Sequence, residues 1–142
     1  MKNFSQVECR ASLLVLMLCA KLLGKSECNQ ASKEETELLR ITIPLLKLYT
    51  AKQSLPVISE GLEAHGGQGY IEDTGLPVYL RDGQVLSIWE GTTNILSLDV
   101  LRSIQKSKGD SLKVFAKHIE MICEKAKKVP TLAETASMVC LE

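Results

Sequence analysis

Aromatic residues are scarce in this sequence: its 142 residues include only two Phe, three Tyr and one Trp. A core with so few rings has to be mostly aliphatic, and the many Leu, Ala, Lys and Glu residues favour helix. No alternation of apolar and polar residues lasts longer than a few positions. These absences predict an all-α protein, and the length suits one domain or part of a larger one.

Net charge, metal-ligand patterns and membrane-length apolar runs are absent too. The 17 basic and 17 acidic residues cancel, so no overall field attracts nucleic acid. The five cysteines form no CxxC pair and the two histidines are not at ligand spacing, which predicts no metal site and reduced thiols in an intracellular protein. The apolar run 11–20 is too short to cross a bilayer. A signal peptide is the alternative for this run, but Glu8 in its flank favours a buried helix.

The first helix is predicted over residues 3–24, with Gly24 as its C-terminal stop. Apolar residues cover most of its circumference, so burial on nearly all sides is expected. The helices that bury it are expected to be missing from this chain or supplied by another subunit.

A second, longer helix is predicted to run from Lys33 to about residue 64. Ser32 and Glu35 form a capping-box pattern just before it. Pro44 and Pro56 lie inside this pattern and are expected to kink the helix or split it into shorter pieces.

Shorter helices are predicted after residue 76. Pro77 suits the first position of one of them, and Thr92 or a neighbour is expected to cap the next, which ends near residue 105. Its apolar stripe comprises Ile95, Leu98, Leu101 and Ile104. Asp110 is expected to cap a last amphipathic helix, and residues 131–142 are expected to add a further helical piece.

A glycine-rich loop separates the two halves of the chain. Gly66, Gly67 and Gly69 follow a predicted helix and not a strand, so the dinucleotide-binding motif that requires a strand is excluded. What remains is a loop whose backbone can approach another group closely. The expected architecture is therefore an up-and-down helical bundle with a Gly-rich loop between helices.

Glu90 is the sharpest candidate for chemistry. It lies between Trp89 and Gly91, just before a predicted helix start. A carboxylate dried by a neighbouring aromatic ring would be a stronger base. The alternative is an acidic residue that merely suits the positive end of a helix, and the local sequence alone favours that alternative. Arg81 beside Asp82 is similarly open between an ion pair, which is favoured, and a phosphate ligand.

Several short motifs in a fixed order carry a resemblance. They are Gly66-Gly67-Gln68-Gly69-Tyr70, Leu76-Pro77, Arg81-Asp82, Ile88-Trp89-Glu90-Gly91-Thr92 and Asn94-Ile95. At this spacing they resemble the C-terminal helical domain of the acyl-CoA dehydrogenase family. Trp89 and the segment 98–102 are most similar to the branch that includes the bacterial adaptive-response (AidB-like) flavoproteins. The dense part of the match covers about residues 62–102.

The resemblance implies an oxidoreductase with FAD as cofactor and a fatty acyl-CoA as substrate. Glu90 is implied to take the α-proton while hydride leaves the β-carbon for the flavin. The residues implied to contact FAD are Glu63, Gly66, Gly67, Thr92 and Asn94. Of these, Glu63 departs from the Gln that is common in the family. The glycines would face FAD on a neighbouring subunit, so a homo-oligomer, a tetramer or dimer of dimers, is implied.

The chain is expected to comprise residues 1–105, an N-terminally truncated acyl-CoA dehydrogenase C-terminal domain, and residues 106–142, an additional helical extension. The family's β-domain does not fit in this sequence, so we expect a fragment or short isoform that is inactive alone. The expected location is mitochondrial in a eukaryote and cytoplasmic otherwise. The electron acceptor and the acyl chain length are not predicted.

Two non-enzymatic interpretations stay open at this point. One is an oligomerisation or binding module that associates through the first helix. The other is nucleic-acid binding, since residues 106–128 contain seven Lys against three acidic residues. A solvated amphipathic helix is the favoured explanation for this excess, because Arg clusters and interleaved aromatic residues are lacking.

Overall fold

The computed structural model of the protein describes residues 2–139, with side chains from residue 5 onward. Within this range there are six α-helices and no strand, which confirms the predicted all-α helical bundle. The helices are α1 (Lys2–Glu27), α2 (Lys33–Ala64), α3 (Pro77–Val85), α4 (Thr93–Lys106), α5 (Asp110–Lys127) and α6 (Ala133–Val139). Two short 3-10 turns, Gly66–Gly69 and Glu72–Thr74, connect α2 to α3.

The central helix of the bundle is α2. It packs against α1, α3, α4 and α5, and it carries the Gly66–Gly69 turn at its C-terminal end. The predicted capping box opens it: the Glu35 amide donates to the Ser32 hydroxyl at 3.1 Å, and the Ser32 amide donates to the Glu35 carboxylate at 3.0 Å. A second contact, an ion pair between Lys25 and Glu35, ties the end of α1 to this first turn.

The two internal prolines do not divide α2. The helix is continuous over Lys33–Ala64, so the expectation of shorter pieces is wrong. An interior proline costs about 3 kcal/mol in an isolated helix. Tertiary packing offsets this cost, because Pro44 is itself fully buried beside Ile41, and burying a side chain such as Ile contributes about 1.5–3 kcal/mol.

The end of α1 differs from the prediction. The helix passes through Gly24 and continues to Glu27. The chain turns instead at Asn29, whose φ is +55°. Asn tolerates this left-handed conformation better than most residues do, so it takes the role predicted for the glycine.

The core is aliphatic, as predicted, and lies where α1, α2 and α5 meet. Its buried side chains are Cys19, Leu22, Leu38 and Leu39, and the partly buried Leu18, Leu46, Val114 and Phe115 pack against them. Because α5 supplies two of these neighbours, it is packed onto the same core as α1 and α2. The proposed division of the chain near residue 105 stays a prediction.

Most of the apolar surface of α1 is uncovered. Only Cys19 and Leu22 are buried among the side chains that the structure describes in this helix. Large apolar side chains exposed on it are Val7, Leu13, Leu14, Val15, Leu16, Met17 and Leu23. The expected burial on nearly all sides is therefore not met by this chain, because α2 and α5 cover one side only. An open apolar groove of about 870 Å³ runs between α1 and α2.

The stripe predicted for α4 exists, but most of it does not face the core. Ile95, Leu98 and Leu101 are each 47% or more exposed. The side turned toward α2 instead carries the buried Ser103 and the half-buried Asp99. The Asp99 carboxylate accepts two hydrogen bonds from Arg40 of α2. Thr92 is the N-cap residue of α4, as predicted. The predicted cap at Asp110 is wrong, because Gly109, in a left-handed conformation, is the N-cap of α5 and Asp110 is already helical.

Candidate active site

The Gly-rich turn has two faces with different surroundings. A Cβ built on Gly66 or Gly67 would meet no atom within 4 Å, so this face of the turn is open. At Gly66 the φ is +57°, a left-handed value that favours glycine. On the other face, Gly69 is buried and lies against the backbone of Leu62 in the last turns of α2. Glu63 is exposed beside the turn.

Sequence reasoning treated these glycines as one loop for a close approach, and the structure separates them. Gly69 is needed by α2 itself, since a Cβ there would lie 2.1 Å from the Leu62 carbonyl oxygen. Gly66 and Gly67 have no such partner in the described part of the chain and are accessible to a ligand or a neighbouring subunit.

Glu90 lies in the tight turn that precedes α4. Its φ is +54° and that of Gly91 is +107°, so two successive residues are left-handed. The side chain of Glu90 is exposed, and Trp89 is itself 57% exposed, so the predicted drying of the carboxylate by Trp89 does not occur within this chain. Glu90 also stands two residues before the N-cap Thr92, outside the first turn of α4. This position weakens the alternative that Glu90 only complements the helix N-terminus.

The start of α4 presents unsatisfied polar groups. Thr92 is extended, with φ −66° and ψ 164°, and its hydroxyl makes no capping hydrogen bond. Asn94 is exposed in the first turn. The first amide groups of a helix point outward and favour anionic or polar ligand groups. Glu90, Thr92 and Asn94 are therefore brought together at one helix end.

These residues form a separate surface from the Gly-rich turn. The turn at Glu90 is bonded to Lys47 in the middle of α2, whereas the Gly-rich turn contacts Leu62, near the end of α2, through Gly69. About four helical turns, or roughly 22 Å along the axis, separate those two points of α2. The Gly-rich turn and the start of α4 are therefore two separate surfaces of this chain.

Lys47 is the residue that sequence reasoning missed. Its ammonium donates to the carbonyl oxygens of Leu86, Trp89 and Gly91 at 3.0, 2.9 and 2.6 Å. No local sequence pattern predicts this contact, because all three acceptors are backbone atoms some 40 positions further along the chain.

Arg81 makes an ion pair, but with a different partner from the one expected. Its guanidinium lies 3.6 Å from the Glu72 carboxylate, and both side chains are well exposed. Asp82, its neighbour in sequence, is not the partner. An exposed pair of this kind contributes about 0–1 kcal/mol, so it orients the surface loosely.

Metal and membrane sites do not emerge from the described residues. Residues 2–139 contain no cluster of His, Cys, Asp or Glu side chains able to hold a metal ion. In the same range, no helix is both long and apolar enough to cross a membrane. On α5, Lys113, Lys117 and Lys127 each have an acidic partner, which supports a solvated helix over a phosphate-binding surface.

The fold and the order of motifs correspond to one protein class. Residues 5–105 match the family described as acyl-CoA dehydrogenase, C-terminal domain. The chain therefore belongs to the acyl-CoA dehydrogenase family, which confirms the resemblance read from the motifs.

Relatives extend this finding. The chain is 49% identical over 138 residues to acyl-CoA dehydrogenase family member 11 of Caenorhabditis elegans. This alignment covers 92% of this chain and 22% of that protein. It is 38% identical over 87 residues, 61% of this chain and 16% of the relative, to the putative acyl-CoA dehydrogenase AidB of Escherichia coli strain K12. The chain thus spans about a fifth of the length of such relatives.

A solved structure agrees with the fold. Caenorhabditis elegans ACDH-11, crystallised in complex with C11-CoA, superposes on this chain with a TM-score of 0.81 and 50% sequence identity. The similarity covers 89% of this chain and 21% of that one.

Proposed function

We propose that this chain is the C-terminal portion of an FAD-dependent acyl-CoA dehydrogenase and that Glu90 is its catalytic base. The observation that carries the proposal is the position of Glu90: it is exposed, it lies in a left-handed turn, and it stands beside a helix N-terminus whose Thr92 makes no capping hydrogen bond. Membership of the family supports the reaction class, and a related structure contains C11-CoA.

The residues of this chain have separate tasks in the proposed reaction. A Glu90 carboxylate oxygen accepts the proton from the α-carbon of a fatty acyl-CoA. A C–H acid is weak, so this carboxylate has to be close to the carbon and shielded from water in the assembled enzyme. Bound FAD would supply the hydride acceptor. Thr92 and Asn94, at the α4 N-terminus, orient polar groups of the cofactor.

The residues also fit the cofactor at the second surface. A turn with no side chains at Gly66 and Gly67 leaves the backbone amides accessible, and such amides suit phosphate oxygens. Glu63 borders this surface, although a carboxylate there suits a ribose hydroxyl better than a phosphate. Because the surface is roughly 22 Å from the Glu90 turn along α2, we propose that it serves FAD on a neighbouring subunit.

Glu90 stays exposed to water in this chain, so we propose that the isolated chain has little activity and binds FAD poorly. The large share of each relative that this chain does not cover would supply the remaining walls. We further propose an intracellular location, mitochondrial in a eukaryotic source, since the four cysteines that the structure describes are free thiols.

The decisive experiment is a chimera in which this chain replaces the corresponding C-terminal part of the C. elegans relative. We expect bound flavin and dehydrogenation of acyl-CoA substrates with a dye as electron acceptor. Glu90→Gln keeps the shape of the side chain and removes the base, so the rate should fall by at least about 100-fold while flavin stays bound. Glu120→Gln, an exposed glutamate on α5, is the matched control. An unchanged rate in Glu90→Gln would disprove the assignment of the base.

A second candidate function, a non-catalytic assembly module, is favoured by the exposed apolar face of α1. Contiguous exposed apolar patches commonly mark protein interfaces. Light scattering of the purified chain tests it: association is expected, and a monomer at high concentration would exclude self-assembly through this face.

A further inference from the structure

We propose that Lys47 is a positioning residue for Glu90: it fixes the turn that carries the base without touching the reacting atoms. The inference deepens the proposed function and rests on it. The Lys47 ammonium donates three hydrogen bonds, at 2.6–3.0 Å, to the carbonyl oxygens of Leu86, Trp89 and Gly91.

The geometry uses the full capacity of the lysine. An ammonium has three N–H donors, and each meets one carbonyl oxygen. None of the ion pairs in the described part of the chain includes Lys47, so the carbonyls are its partners. Three acceptors converging on one point suit the compact lysine head, whereas the planar guanidinium of an arginine would not reproduce the arrangement.

The acceptors surround Glu90 on both sides. Trp89 and Gly91 are its immediate neighbours, and Leu86 is the C-cap residue that follows Val85 at the end of α3. Carbonyl groups at the C-terminal end of a helix have no partner within the helix, and the local dipole attracts a cation. Lys47 therefore links the end of α3 to the Trp89–Glu90 peptide unit, which precedes the proposed base, and to the carbonyl group of Gly91, the residue that follows it.

The turn needs such a link because its backbone is unusual. Glu90 has φ +54° and Gly91 has φ +107°. Residues other than glycine rarely adopt left-handed values and keep them only where the surroundings determine the conformation. The link ends on a rigid element, since Lys47 lies near the middle of α2, the helix against which α3 and α4 both pack.

Function follows from this rigidity. A displacement of about 1 Å in a catalytic group can cost about 100-fold in rate. Without the ammonium, the Glu90 side chain would sample positions away from the substrate α-carbon. Lys47 itself makes contact only with backbone carbonyls among its described hydrogen bonds, so it acts through the turn.

The first test uses the 142-residue chain and needs no activity. Trp89 is the single tryptophan, so its fluorescence anisotropy reports the turn directly. Amide exchange at Ile88 and Trp89, whose N–H groups donate to the Val85 carbonyl, reports its opening. Lys47→Met keeps the apolar stem and removes all three donors. We expect at least about tenfold faster exchange at these two amides, which corresponds to about 1.4 kcal/mol, and a lower anisotropy.

Lys52→Met is the matched control, because Lys52 is an exposed lysine on the same helix. It should leave exchange and anisotropy at the turn unchanged. Wild-type exchange in a folded Lys47→Met chain would overturn the inference. If Lys47→Met does not fold, Lys47→Gln serves in its place: intermediate exchange is expected, and wild-type exchange would overturn the proposal equally.

The second test uses the chimera described above. Lys47→Met should lower kcat about 10- to 100-fold, with KM for acyl-CoA and flavin content nearly unchanged. Lys47→Met combined with Glu90→Gln should be no slower than Glu90→Gln alone, because both changes act on the same group. A loosened turn with unchanged kcat would refute the positioning role and leave the proposed function intact. If the chimera without substitutions is inactive while Lys47→Met loosens the turn of the 142-residue chain, the proposed function is refuted and the contact of Lys47 with the turn stands.

Discussion

The backbone of Gly69 lies directly against the carbonyl group of Leu62, so that an added Cβ would stand 2.1 Å from the Leu62 oxygen. Gly69→Ala should therefore be severely destabilising, because the obstructing atoms are backbone and cannot rotate away. We expect a loss of about 3 kcal/mol, the upper part of the range for overpacking, measured by urea unfolding.

The neighbouring Gly67 provides the control for this prediction. A Cβ at Gly67 meets no atom within 4 Å, and its φ is not left-handed. Gly67→Ala should change the free energy of unfolding by no more than about 0.5 kcal/mol. Equal midpoints for the two variants would show that the Gly66–Gly69 turn does not pack on α2 in solution.

A bidentate ion pair makes the stability of the bundle pH-dependent. The Arg40 guanidinium donates to both Asp99 carboxylate oxygens, at 2.8 and 2.9 Å, and joins α2 to α4. These hydrogen bonds lower the pKa of the Asp99 carboxyl and raise the pKa of Arg40. Since the folded pKa of Asp99 is below its unfolded value, the contribution is present above about pH 4 and is lost as the pH falls through the folded value.

Asp99→Asn tests this directly. Because the pair is partly exposed, we expect the variant to lose about 0.5–1 kcal/mol near neutral pH. The difference from the wild type should shrink toward zero on acidification below the pKa of an ordinary aspartate. Following the difference between the two proteins, and not the wild type alone, removes the effect of the other carboxylates. A gap that persists in acid would contradict an ionic origin.

The capping box at the start of α2 should contribute measurably to stability. Ser32→Ala removes the hydroxyl that accepts a hydrogen bond from the Glu35 amide. We therefore expect the free energy of unfolding to fall by about 1 kcal/mol. Ser32→Asp restores an acceptor at the same position and should recover most of that loss. Thermal unfolding followed by circular dichroism provides the comparison. If alanine and aspartate behave alike, the cap does not operate.

Cysteine reactivity should follow burial. Cys9 and Cys28 are exposed, whereas Cys19 and Cys123 are buried. Burial also raises the pKa of the Cys19 thiol, so that less thiolate is present at a given pH. We expect iodoacetamide to modify Cys9 and Cys28 at least about tenfold faster than Cys19 and Cys123. The buried thiols react only after local opening of the structure, and an opening free energy above about 1.4 kcal/mol slows them by that factor. Peptide mass spectrometry measures each site. Comparable rates at Cys19 would mean that α1 separates readily from α2.

Local chemistry made parts of the fold predictable. The Ser32 capping box and the Thr92 N-cap involve residues within a few positions of each other, so the sequence pattern locates both helix starts. Pro44 shows the limit of such reasoning, because its local penalty is outweighed by packing contributed from elsewhere in the chain. The apolar residues of α4 illustrate a second limit: a stripe of Ile95, Leu98 and Leu101 identifies an apolar face but not the element that covers it.

The candidate site likewise contains residues that the sequence motifs predict and residues that they do not. The motif order pointed to Gly66, Gly67, Glu90, Thr92 and Asn94, and their assigned roles remain proposals that depend on the family. The role of Lys47 could not be predicted from the sequence, because its partners are main-chain carbonyl groups and any residue can supply those. The packing role of Gly69 could not be predicted either, because sequence alone does not distinguish a glycine that faces open space from one packed against a helix.

The position of α2 at the centre has a consequence for how the protein comes apart. Since α1, α3, α4 and α5 all pack on this one helix, none of them retains its main contacts once α2 is lost. These five helices should therefore melt in a single cooperative step, as one folding unit. The exception is α6, which packs mainly on α5 and should fray well before the rest.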